Sequence, residues 1–318
     1  MNLSTISFLV FTSASLASAF SNQGTPPMKV LVTGAAGKTG RLVLKKLEDD
    51  PRYDPKALVR TEESAVKLIK DRESHCPLEH MVVSDITSPT FEDDLPNGLN
   101  GMDAMIICTS AVPRISRLSL AGAALKAPWN VIRRKPAVDF KSLRFKWKHG
   151  GYPEKVDYHG QIHQIELAKK MGMKKVVVVS SMGASNPDHF LNSVGKNRDG
   201  TGNGDILTWK RKAEKYLVES GLNYAIIHPG GLIDTPGGRE EFVLDVDDKI
   251  GTYHDKTRIS REDVAELCVA ALDAKQNCSF DCITVPRQQV NGGTGSVKSA
   301  SDALTEFLQQ AKTADYAR

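Results

Sequence analysis

The chain has 318 residues, of which 40% are hydrophobic and 25% are charged, a composition typical of a soluble globular protein. This length allows one large α/β domain or two small ones. The net charge of +4 is modest and gives no case for nucleic-acid binding. The five cysteines are odd in number and scattered, which argues against a disulfide framework and an extracellular destination. No pattern of Cys and His has metal-ligand spacing, so no metal site is predicted.

Residues 1–27 are predicted to be a targeting presequence and linker. Residues 6–11 are apolar but too few to cross a bilayer, and Ala17-Ser-Ala19 forms a small-residue cleavage site. The string Ala17-Ser-Ala-Phe20 resembles the Ala-Phe junction of the bipartite plastid presequences of diatoms and related algae. We therefore expect a protein of the plastid stroma in an alga with a secondary plastid, with no transmembrane segment after processing. The alternative is a cytoplasmic protein whose translation starts at Met28.

A strand, a glycine-rich turn and a helix follow at residues 28–47. Residues 30–32 are apolar, and leucine and valine recur at helical spacing over 42–47. Between them, three glycines would let the backbone approach a pyrophosphate at the positive end of the helix. The pattern predicts dinucleotide binding, with a turn kept only for packing as the alternative. The predicted contacts are Gly34, Ala35, Gly37, Lys38, Thr39 and Gly40.

Arg60 follows the second predicted strand, which ends in residues 56–59. Folds that prefer NAD usually place an acid there, on the ribose 2′-hydroxyl, whereas a cation suits the 2′-phosphate of NADP. Lys38 would add a second positive charge, and the guanidinium of Arg60 can bind a phosphate in bidentate geometry. We therefore expect NADP(H) in preference to NAD(H). Alternatively, Arg60 only ends a strand in solvent.

Strands and helices alternate through the rest of the chain, which is typical of a doubly wound parallel sheet, a Rossmann-like α/β fold. We predict one domain over residues 28–287, followed by a loop and a C-terminal helix within 288–318. The predicted helices are 62–70, 154–171, 206–219, 263–274 and 299–311, and the later strands are 80–84, 104–108, 176–179, 224–227 and 280–285. The loop is expected at 288–297.

Ligands of such a sheet bind beyond the carboxyl ends of its strands. Asp85 and Ile86 follow the third predicted strand, where this kind of fold contacts the adenine. Thr109, Ser110 and Ala111 leave the fourth strand at the same edge. We expect both groups to border the cofactor.

Residues 114–149 interrupt this pattern as a basic insertion after the fourth strand, with ten Lys or Arg and one acid, Asp139. Aromatic residues are interleaved with the cations. Three interpretations remain open: a solvated, partly mobile lid, a docking surface for an acidic protein or an anionic thylakoid membrane, and a pocket for an anionic substrate. No nucleic-acid motif supports RNA binding.

Five motifs in order resemble those of the plant and algal atypical short-chain dehydrogenase/reductases: Thr33-Gly-Ala-Ala-Gly-Lys-Thr-Gly40, Thr109-Ser-Ala-Val-Pro113, Tyr152-Pro-Glu-Lys-Val-Asp-Tyr158, Ser180-Ser-Met-Gly-Ala-Ser-Asn-Pro-Asp-His189 and Trp209-Lys-Arg-Lys-Ala-Glu214. The resemblance covers residues 29–285 and implies an NAD(P)-binding Rossmann protein, several members being located in plastids. It does not identify a substrate, because function does not follow from fold.

The resemblance also implies a catalytic group, a Tyr proton donor placed four residues before a ribose-binding Lys. Lys212 takes the place of that Lys, and Thr208, a far poorer acid, takes the place of the Tyr. The superfamily's Ser falls near Ser181, although counting from the strand places it closer to Met182. Its helix Asn is replaced by Asp157.

Other residues could take over the missing proton transfer. Tyr158 and Tyr216 are candidates, with packing as the alternative for each. His228 ends the sixth predicted strand and could donate a proton or serve a structural role. The cofactor contacts implied by the resemblance on this side are Ser180, Lys212, His228, Pro229, Gly230 and Gly231.

Two functions from different classes therefore remain open. The first is an NADPH-dependent reductase of a small carbonyl, quinone or conjugated substrate, in which the cofactor carries the hydride chemistry. The second is a non-catalytic NADP-binding redox sensor, or an assembly or docking factor of the plastid. The retained cofactor motifs favour the first, and the missing Tyr and the basic insertion favour the second.

Overall fold

Parallel strands form the centre of the molecule. The structure, a computed structural model, describes residues 26–70, 77, 80–91, 95, 99–134, 143–197, 199–287, 297–312 and 314–316. The strands are β1 (Met28–Thr33), β2 (Tyr53–Val59), β3 (Met81–Val83), β4 (Ala104–Ile107), β5 (Pro113–Ile115), β6 (Phe145–Trp147), β7 (Lys175–Val179), β8 (Tyr224–Pro229), β9 (Gly231–Ile233), β10 (Glu241–Asp245), β11 (Arg258–Ser260) and β12 (Cys278–Val285).

Eight of these strands form the main sheet of the described residues, in the order β10-β12-β8-β7-β4-β1-β2-β3. All neighbours are parallel except β10 and β12, which are antiparallel. The chain winds from β1 to β3 in one direction and from β4 to β12 in the other. The switch between β1 and β4 creates the crevice where such sheets bind ligands. The predicted doubly wound α/β fold is confirmed.

Helices cover both faces of the sheet. They are α1 (Gly40–Glu48), α2 (Glu62–Lys70), α3 (Arg117–Ile132), α4 (Gly160–Lys170), α5 (Phe190–Ser193), α6 (Ile206–Glu219), α7 (Ile250–Tyr253), α8 (Arg261–Leu272) and α9 (Ala300–Gln309). A 3₁₀ turn (Lys148–Gly150) and a π-helical turn (Glu154–His159) lie before α4.

The alternation of side chains along β1 explains these two layers. Val30 and Val32 point to one face, where they join a buried cluster with Leu267 of α8. Leu31 points to the other face and joins a cluster with Ile165 of α4. Burying each such side chain stabilises the fold by about 1.5–3 kcal/mol. The apolar strand therefore needs a helical layer on each side, as in other parallel sheets.

Some predicted elements differ from the observed ones. Helix α8 begins at Arg261 rather than at residue 263, because the Ser260 hydroxyl accepts the amide N–H of Asp263 and caps the helix two residues earlier. The helix predicted at 154–171 starts as the π-helical turn. Strand β10 adds an antiparallel edge that was not predicted.

The described part of the basic insertion has regular secondary structure. It contains helix α3 and the antiparallel pair β5–β6. Residues 135–142 lie outside the described part of the chain, as do residues 1–25 of the predicted presequence and most of the predicted loop at 288–297.

Candidate cofactor-binding and active site

The glycine turn between β1 and α1 is shaped for close approach by a ligand. Gly34 has φ of +65°, and a Cβ there would lie 3.0 Å from the backbone of Cys108 and Thr109. At Gly40 a Cβ would overlap the carbonyl oxygen of Gly34. Glycine is therefore required at both positions. Helix α1 then begins with no side-chain cap and no acid in its first turn, so its positive end is suited to a pyrophosphate.

The two cations expected at the 2′-phosphate have different surroundings. Arg60 is exposed directly after β2, as expected. Lys38 instead binds Asp234, in the segment after β9, with 2.6 Å between Nζ and Oδ2. Arg261 pairs with the same carboxylate. Because of this bridge, Lys38 is held by a carboxylate rather than left open for a phosphate.

The two residues expected at the adenine lie shortly after β3. The Asp85 carboxylate accepts the backbone N–H and the hydroxyl of Thr87, which fixes a tight turn. Ile86 is buried, and its carbonyl oxygen lies 2.9 Å from Nδ1 of His163 on α4. The positions of Asp85 and Ile86 after β3 are therefore fixed by hydrogen bonds.

A buried ion pair lies behind the segment that follows β4. The Ala111 N–H donates to Asp157 over 3.1 Å, and the other oxygen of Asp157 lies 2.7 Å from Nζ of Lys210. Both side chains of the pair are almost wholly buried. Thr109 is held in the same region by Gln164, and Ser110 is exposed. The structure therefore brings Thr109 and Ala111 together with a lysine of α6.

That lysine is Lys210 rather than the expected Lys212. Lys212 is exposed, and its Nζ lies 4.1 Å above the ring of Trp209. Thr208 is exposed on the same helix, and the residue four before Lys210 is the buried Ile206. The buried lysine of α6 is therefore two residues before the predicted one. Neither lysine has a tyrosine four residues before it.

The spacing of apolar residues along α6 indicates which of its lysines is buried. The buried residues of α6 are spaced as one stripe, namely Ile206, Leu207, Lys210, Ala213, Glu214 and Leu217. Such a stripe faces the core. Lys210 belongs to it, and two residues of helix turn Lys212 by about 200° to the other side.

A chain of buried polar groups connects β7, α6, β8 and β12. Ser180 donates its hydroxyl to Glu214, whose other oxygen lies 3.1 Å from Nε2 of His228. The second ring nitrogen of His228 lies 3.3 Å from Asp281. Arg211 also contacts Glu214 at 3.3 Å. His228 is therefore held between two carboxylates, which favours its structural role.

The charges of this chain follow from its contacts. Burial alone would lower the pKa of His228, but Glu214 and Asp281 outweigh it and raise the pKa to about 10. Burial alone would raise the pKa of Glu214, but His228, Ser180 and Arg211 bring it below its usual value. The pKa of Asp281 is raised by burial. At neutral pH the imidazolium and the Glu214 carboxylate form a buried ion pair.

The other predicted site residues on this side form hydrogen bonds within the protein. The Ser181 hydroxyl donates to the carbonyl of Met182. The Gly230 and Gly231 N–H groups donate to Cys282 and Thr257, which fixes the turn after Pro229. Tyr216 donates to Glu166 of α4 over 2.6 Å, a contact that ties two helices together. The Tyr216 hydroxyl is therefore hydrogen-bonded to a neighbouring helix, which favours the packing alternative for this residue.

Tyr158 is next to Asp157, the partner of Lys210, in the π-helical turn. Its ring contacts that of Trp209, with 5.5 Å between ring centroids, and it follows Asp157 directly. The ring is half-buried. Tyr158 is thus the tyrosine candidate that shares the π-helical turn with the buried ion pair.

The remaining sequence expectations concern metals and membranes. Within the described residues, no three or more of His, Cys, Asp and Glu are grouped so that they could hold a metal ion. Cys108, Cys268, Cys278 and Cys282 are free thiols. Across the same parts of the chain, no helix has the length and apolar character needed to span a membrane.

These features define a dinucleotide-binding α/β protein. The glycine turn, the uncapped α1 and the buried lysine fit the pyrophosphate and ribose of a nicotinamide cofactor, and the cradle of Gly34 and Gly40 admits no side chain. The arrangement can hold such a cofactor against the sheet edge. It includes no tyrosine acid before Lys210.

Comparison with known proteins identifies the family. A model of NAD(P)H-binding proteins matches residues 34–275. The chain is 39% identical to the sanguinarine reductase of Eschscholzia californica over 285 residues, which are 87% of this chain and 96% of that protein. It is 40% identical to an uncharacterised chloroplastic protein of Arabidopsis thaliana over 274 residues, 85% of this chain and 73% of the other. The chain belongs to the NAD(P)H-binding Rossmann family of oxidoreductases.

A solved structure agrees with this fold. A putative NAD-dependent epimerase/dehydratase from Bacillus halodurans superposes with a TM-score of 0.56 at 22% identity, covering 88% of this chain and 99% of that one. The resemblance to the plant atypical short-chain dehydrogenase/reductases is thereby confirmed for family and fold.

Proposed function

We propose that the protein is an NADPH-dependent reductase whose site is organised by Lys210. The observation that carries this proposal is the buried pair of Lys210 and Asp157, which is joined to the backbone at Ala111. Burying two charges is costly, and a pair of this kind gives weak evidence for stability alone. Its place beside the crevice between β1 and β4 instead suits a lysine that orients a ribose.

Each part of the cofactor would meet a distinct group. The glycine turn and the start of α1 would hold the pyrophosphate, and Arg60 the 2′-phosphate, so that NADPH is preferred over NADH. Lys210 would bind the nicotinamide ribose, and the Pro229–Gly231 turn would border the nicotinamide. The cofactor, when bound, supplies the hydride. The protein positions it and excludes water.

The substrate class follows from the group that is absent before Lys210. Reducing a simple ketone creates a strongly basic alkoxide, which needs a positioned acid such as the superfamily's tyrosine. Ile206 stands at that position, and it has no proton to give. A quinone or another conjugated acceptor yields a phenolate-like anion, comparable to the tyrosine side chain with its pKa near 10, which can be protonated by water. We therefore favour such acceptors over aliphatic carbonyls.

A direct assay tests this function. Purified protein with NADPH is given soluble quinones, conjugated enones and aliphatic ketones, and NADPH absorbance is followed. We expect turnover of quinones or enones and at least about 100-fold slower turnover of ketones, the range that one positioned acid contributes. Rapid ketone turnover would contradict the substrate argument. No oxidation of NADPH with any acceptor would contradict the reductase itself.

A non-catalytic NADP-binding sensor or docking factor is the second candidate. The bridge from Lys38 to Asp234 favours it, since the bridge links the glycine turn to the segment after β9 and cofactor binding could change that link. This function predicts that NADPH binds without being consumed. It also predicts that the cofactor alters binding of the protein to thylakoid extracts, which a pull-down with and without NADPH measures.

We also propose that the protein acts in a plastid. The Ala17–Phe20 junction supports this location, as does the chloroplastic location stated for the similar Arabidopsis protein. A fluorescent fusion carrying residues 1–35 should enter the plastid of an alga with a secondary plastid, and Phe20→Ala should leave it on the secretory route. Cytosolic fluorescence of the unchanged fusion would instead indicate a start at Met28.

A further inference from the structure

Helix α3 of the basic insertion has the reverse of normal amphipathicity. Its four most exposed large apolar side chains are Leu118, Leu125, Trp129 and Ile132, with exposed fractions of 87%, 80%, 65% and 74%. They follow one another at spacings of seven, four and three residues, so they form one stripe along the helix. We call these four residues the apolar stripe.

The inner face of the same helix is small and polar. Ser119, Ala123 and Ala127 are spaced four residues apart on the side opposite the apolar stripe, and they are half-buried or buried. The Ser119 hydroxyl accepts the N–H of Arg144, which follows the residues outside the described part and leads into β6. The helix is thus seated by its small face, which leaves the stripe pointing outward. A contiguous exposed apolar surface of this kind marks an interaction site.

Exposed cations lie at the end of α3 and on the strand pair next to it in the chain. Arg133 and Arg134 follow the last turn of α3 and are exposed, as are Arg114 on β5 and Arg144 and Lys146 at β6. The sequence from residue 114 to 149 contains ten Lys or Arg and a single acid. The insertion alone therefore exceeds the net charge of +4 of the whole chain, and the rest of the chain is net negative, so positive charge is concentrated in this one segment.

We propose that α3 docks the protein onto an anionic lipid bilayer, with the apolar stripe in the headgroup boundary and Arg133 and Arg134, which follow the helix, on the lipid phosphates. The helix has 16 residues and a length of about 24 Å, shorter than a bilayer core of about 30 Å, so it would lie in the interface. Trp and Leu on one side with Arg at the flanks are typical of such helices.

The shape of this surface favours lipid over a folded protein partner. The stripe is a convex ridge on a single helix, whereas a protein partner would have to provide a matching groove. A fluid bilayer adapts to a ridge of any shape. Charge complementarity then selects anionic lipid, since each Lys or Arg near such a surface adds to its attraction. The site lies close to the cofactor crevice, because β5 starts two residues after Ala111.

Vesicle sedimentation tests the proposal with the purified full chain. The probes are vesicles of phosphatidylcholine alone and of phosphatidylcholine mixed with phosphatidylglycerol, at low and high salt. We expect binding to the anionic vesicles that weakens with salt, and much weaker binding to the neutral ones. A protein that stays in solution with both kinds of vesicle would overturn the proposal.

Two matched pairs of variants locate the contact. Leu125→Gln with Trp129→Gln should weaken binding to anionic vesicles at least about 10-fold, since two large apolar side chains no longer leave water. Val66→Gln with Phe190→Gln changes exposed apolar residues elsewhere and should bind as wild type. Arg133→Ala with Arg134→Ala should weaken binding, whereas Lys67→Ala with Lys70→Ala, at the end of α2, should not. Equal behaviour within either matched comparison would contradict this docking surface.

Fluorescence gives a second readout. Trp129 should shift its emission to shorter wavelength on anionic vesicles, and Trp129→Phe should remove most of that shift while preserving binding. A shift that persists in Trp129→Phe would place another tryptophan at the lipid and overturn the docking geometry. If instead the chain dimerises and the Leu125 and Trp129 changes abolish the dimer without affecting vesicle binding, the stripe is covered by a second copy and the lipid proposal is wrong.

Discussion

The two sides of α6 carry similar residues with different surroundings. On the inner side, Lys210 and Glu214 are buried and each is paired with residues of other elements. On the outer side, Thr208 and Lys212 are exposed, and Lys212 contacts only the nearby Trp209 among the partners the structure describes for it. The Tyr-to-Lys spacing of the family motif does not distinguish these lysines, because neither has a tyrosine four residues before it. Burial does, because only a paired lysine can remain charged inside the protein.

The difference is large in energetic terms. An exposed cation on an aromatic ring contributes about 0.5–1 kcal/mol. Removing one partner of a buried ion pair costs about 3–5 kcal/mol, since the other charge remains buried without compensation. The comparison therefore predicts unequal effects for equal substitutions on the two sides of one helix.

Lys210→Met should produce the largest effect. It leaves the Asp157 charge buried and unpaired, so the free energy of unfolding should fall by about 3–5 kcal/mol in urea titrations. Lys212→Met, the matched control, should change it by less than about 1 kcal/mol. Adding Asp157→Asn to Lys210→Met removes both charges and should recover much of the loss. Similar losses for the two lysine variants would remove the distinction between the two sides.

Glu214→Gln should change the pH dependence of stability. Folded His228 keeps its proton up to a pKa of about 10, while the unfolded residue releases it near 6.5. Between these values the folded state binds more protons, so this stabilisation is complete below about pH 6.5 and is lost as the pH rises, by at most about 1.4 kcal/mol per pH unit. The variant should flatten the decline in urea titrations between pH 7 and 9. Glu166→Gln, the control, removes a carboxylate that has no His contact and should leave the pH dependence of stability unchanged. An unchanged slope in Glu214→Gln would mean that His228 is not charged.

Arg60→Asp tests whether an exposed cation distinguishes NADPH from NADH. If Arg60 binds the 2′-phosphate, NADPH affinity measured by calorimetry should fall by at least about 1.5 kcal/mol, the contribution of a charge-assisted hydrogen bond. NADH affinity should change little, because NADH has no phosphate there. Lys45→Asp is the matched control, because it makes the same charge change in the last turn of α1, away from the glycine turn. Equal losses for both nucleotides would contradict an NADP preference based on Arg60.

Asp234→Asn should give the smallest effect. The pair with Lys38 is largely exposed, and such pairs contribute about 0–1 kcal/mol to folding. The change releases Lys38 from the carboxylate, so NADPH should bind a few-fold more tightly in calorimetry while stability changes little. Weaker NADPH binding in this variant would mean that the bridge shapes the glycine turn for the cofactor.

The fold and the glycine turn could be predicted because their causes are local. A short apolar strand, glycines that exclude side chains and a following helical stripe specify the first βα unit within 20 residues, and Gly34 and Gly40 are where the structure requires them. Because ligands of a parallel sheet bind beyond the carboxyl ends of its strands, the edge expected to bind the cofactor could be predicted as well. Local sequence also specified α2 and α6 to the residue.

The chemistry of the site depended on contacts between distant residues. Lys210 stands out in the structure through its ion pair with Asp157, which is 53 positions earlier in the chain. The hydrogen-bonded chain of Ser180, Glu214, His228 and Asp281 likewise joins distant parts of the sequence. The bridge from Lys38 to Asp234 likewise needed the folded structure. The buried stripe of α6 is visible in the sequence and includes Lys210, whereas the resemblance to the family motif points to Lys212.

The most direct test of the central claim is NADPH oxidation with a quinone acceptor, compared between two variants that both keep the fold. The first combines Lys210→Met with Asp157→Asn, and the second is Lys212→Met. Our account predicts that wild type and Lys212→Met turn over at similar rates, while the Lys210 double variant loses at least about 100-fold in kcat/KM. Full activity of the double variant, or loss of activity in Lys212→Met alone, would contradict it.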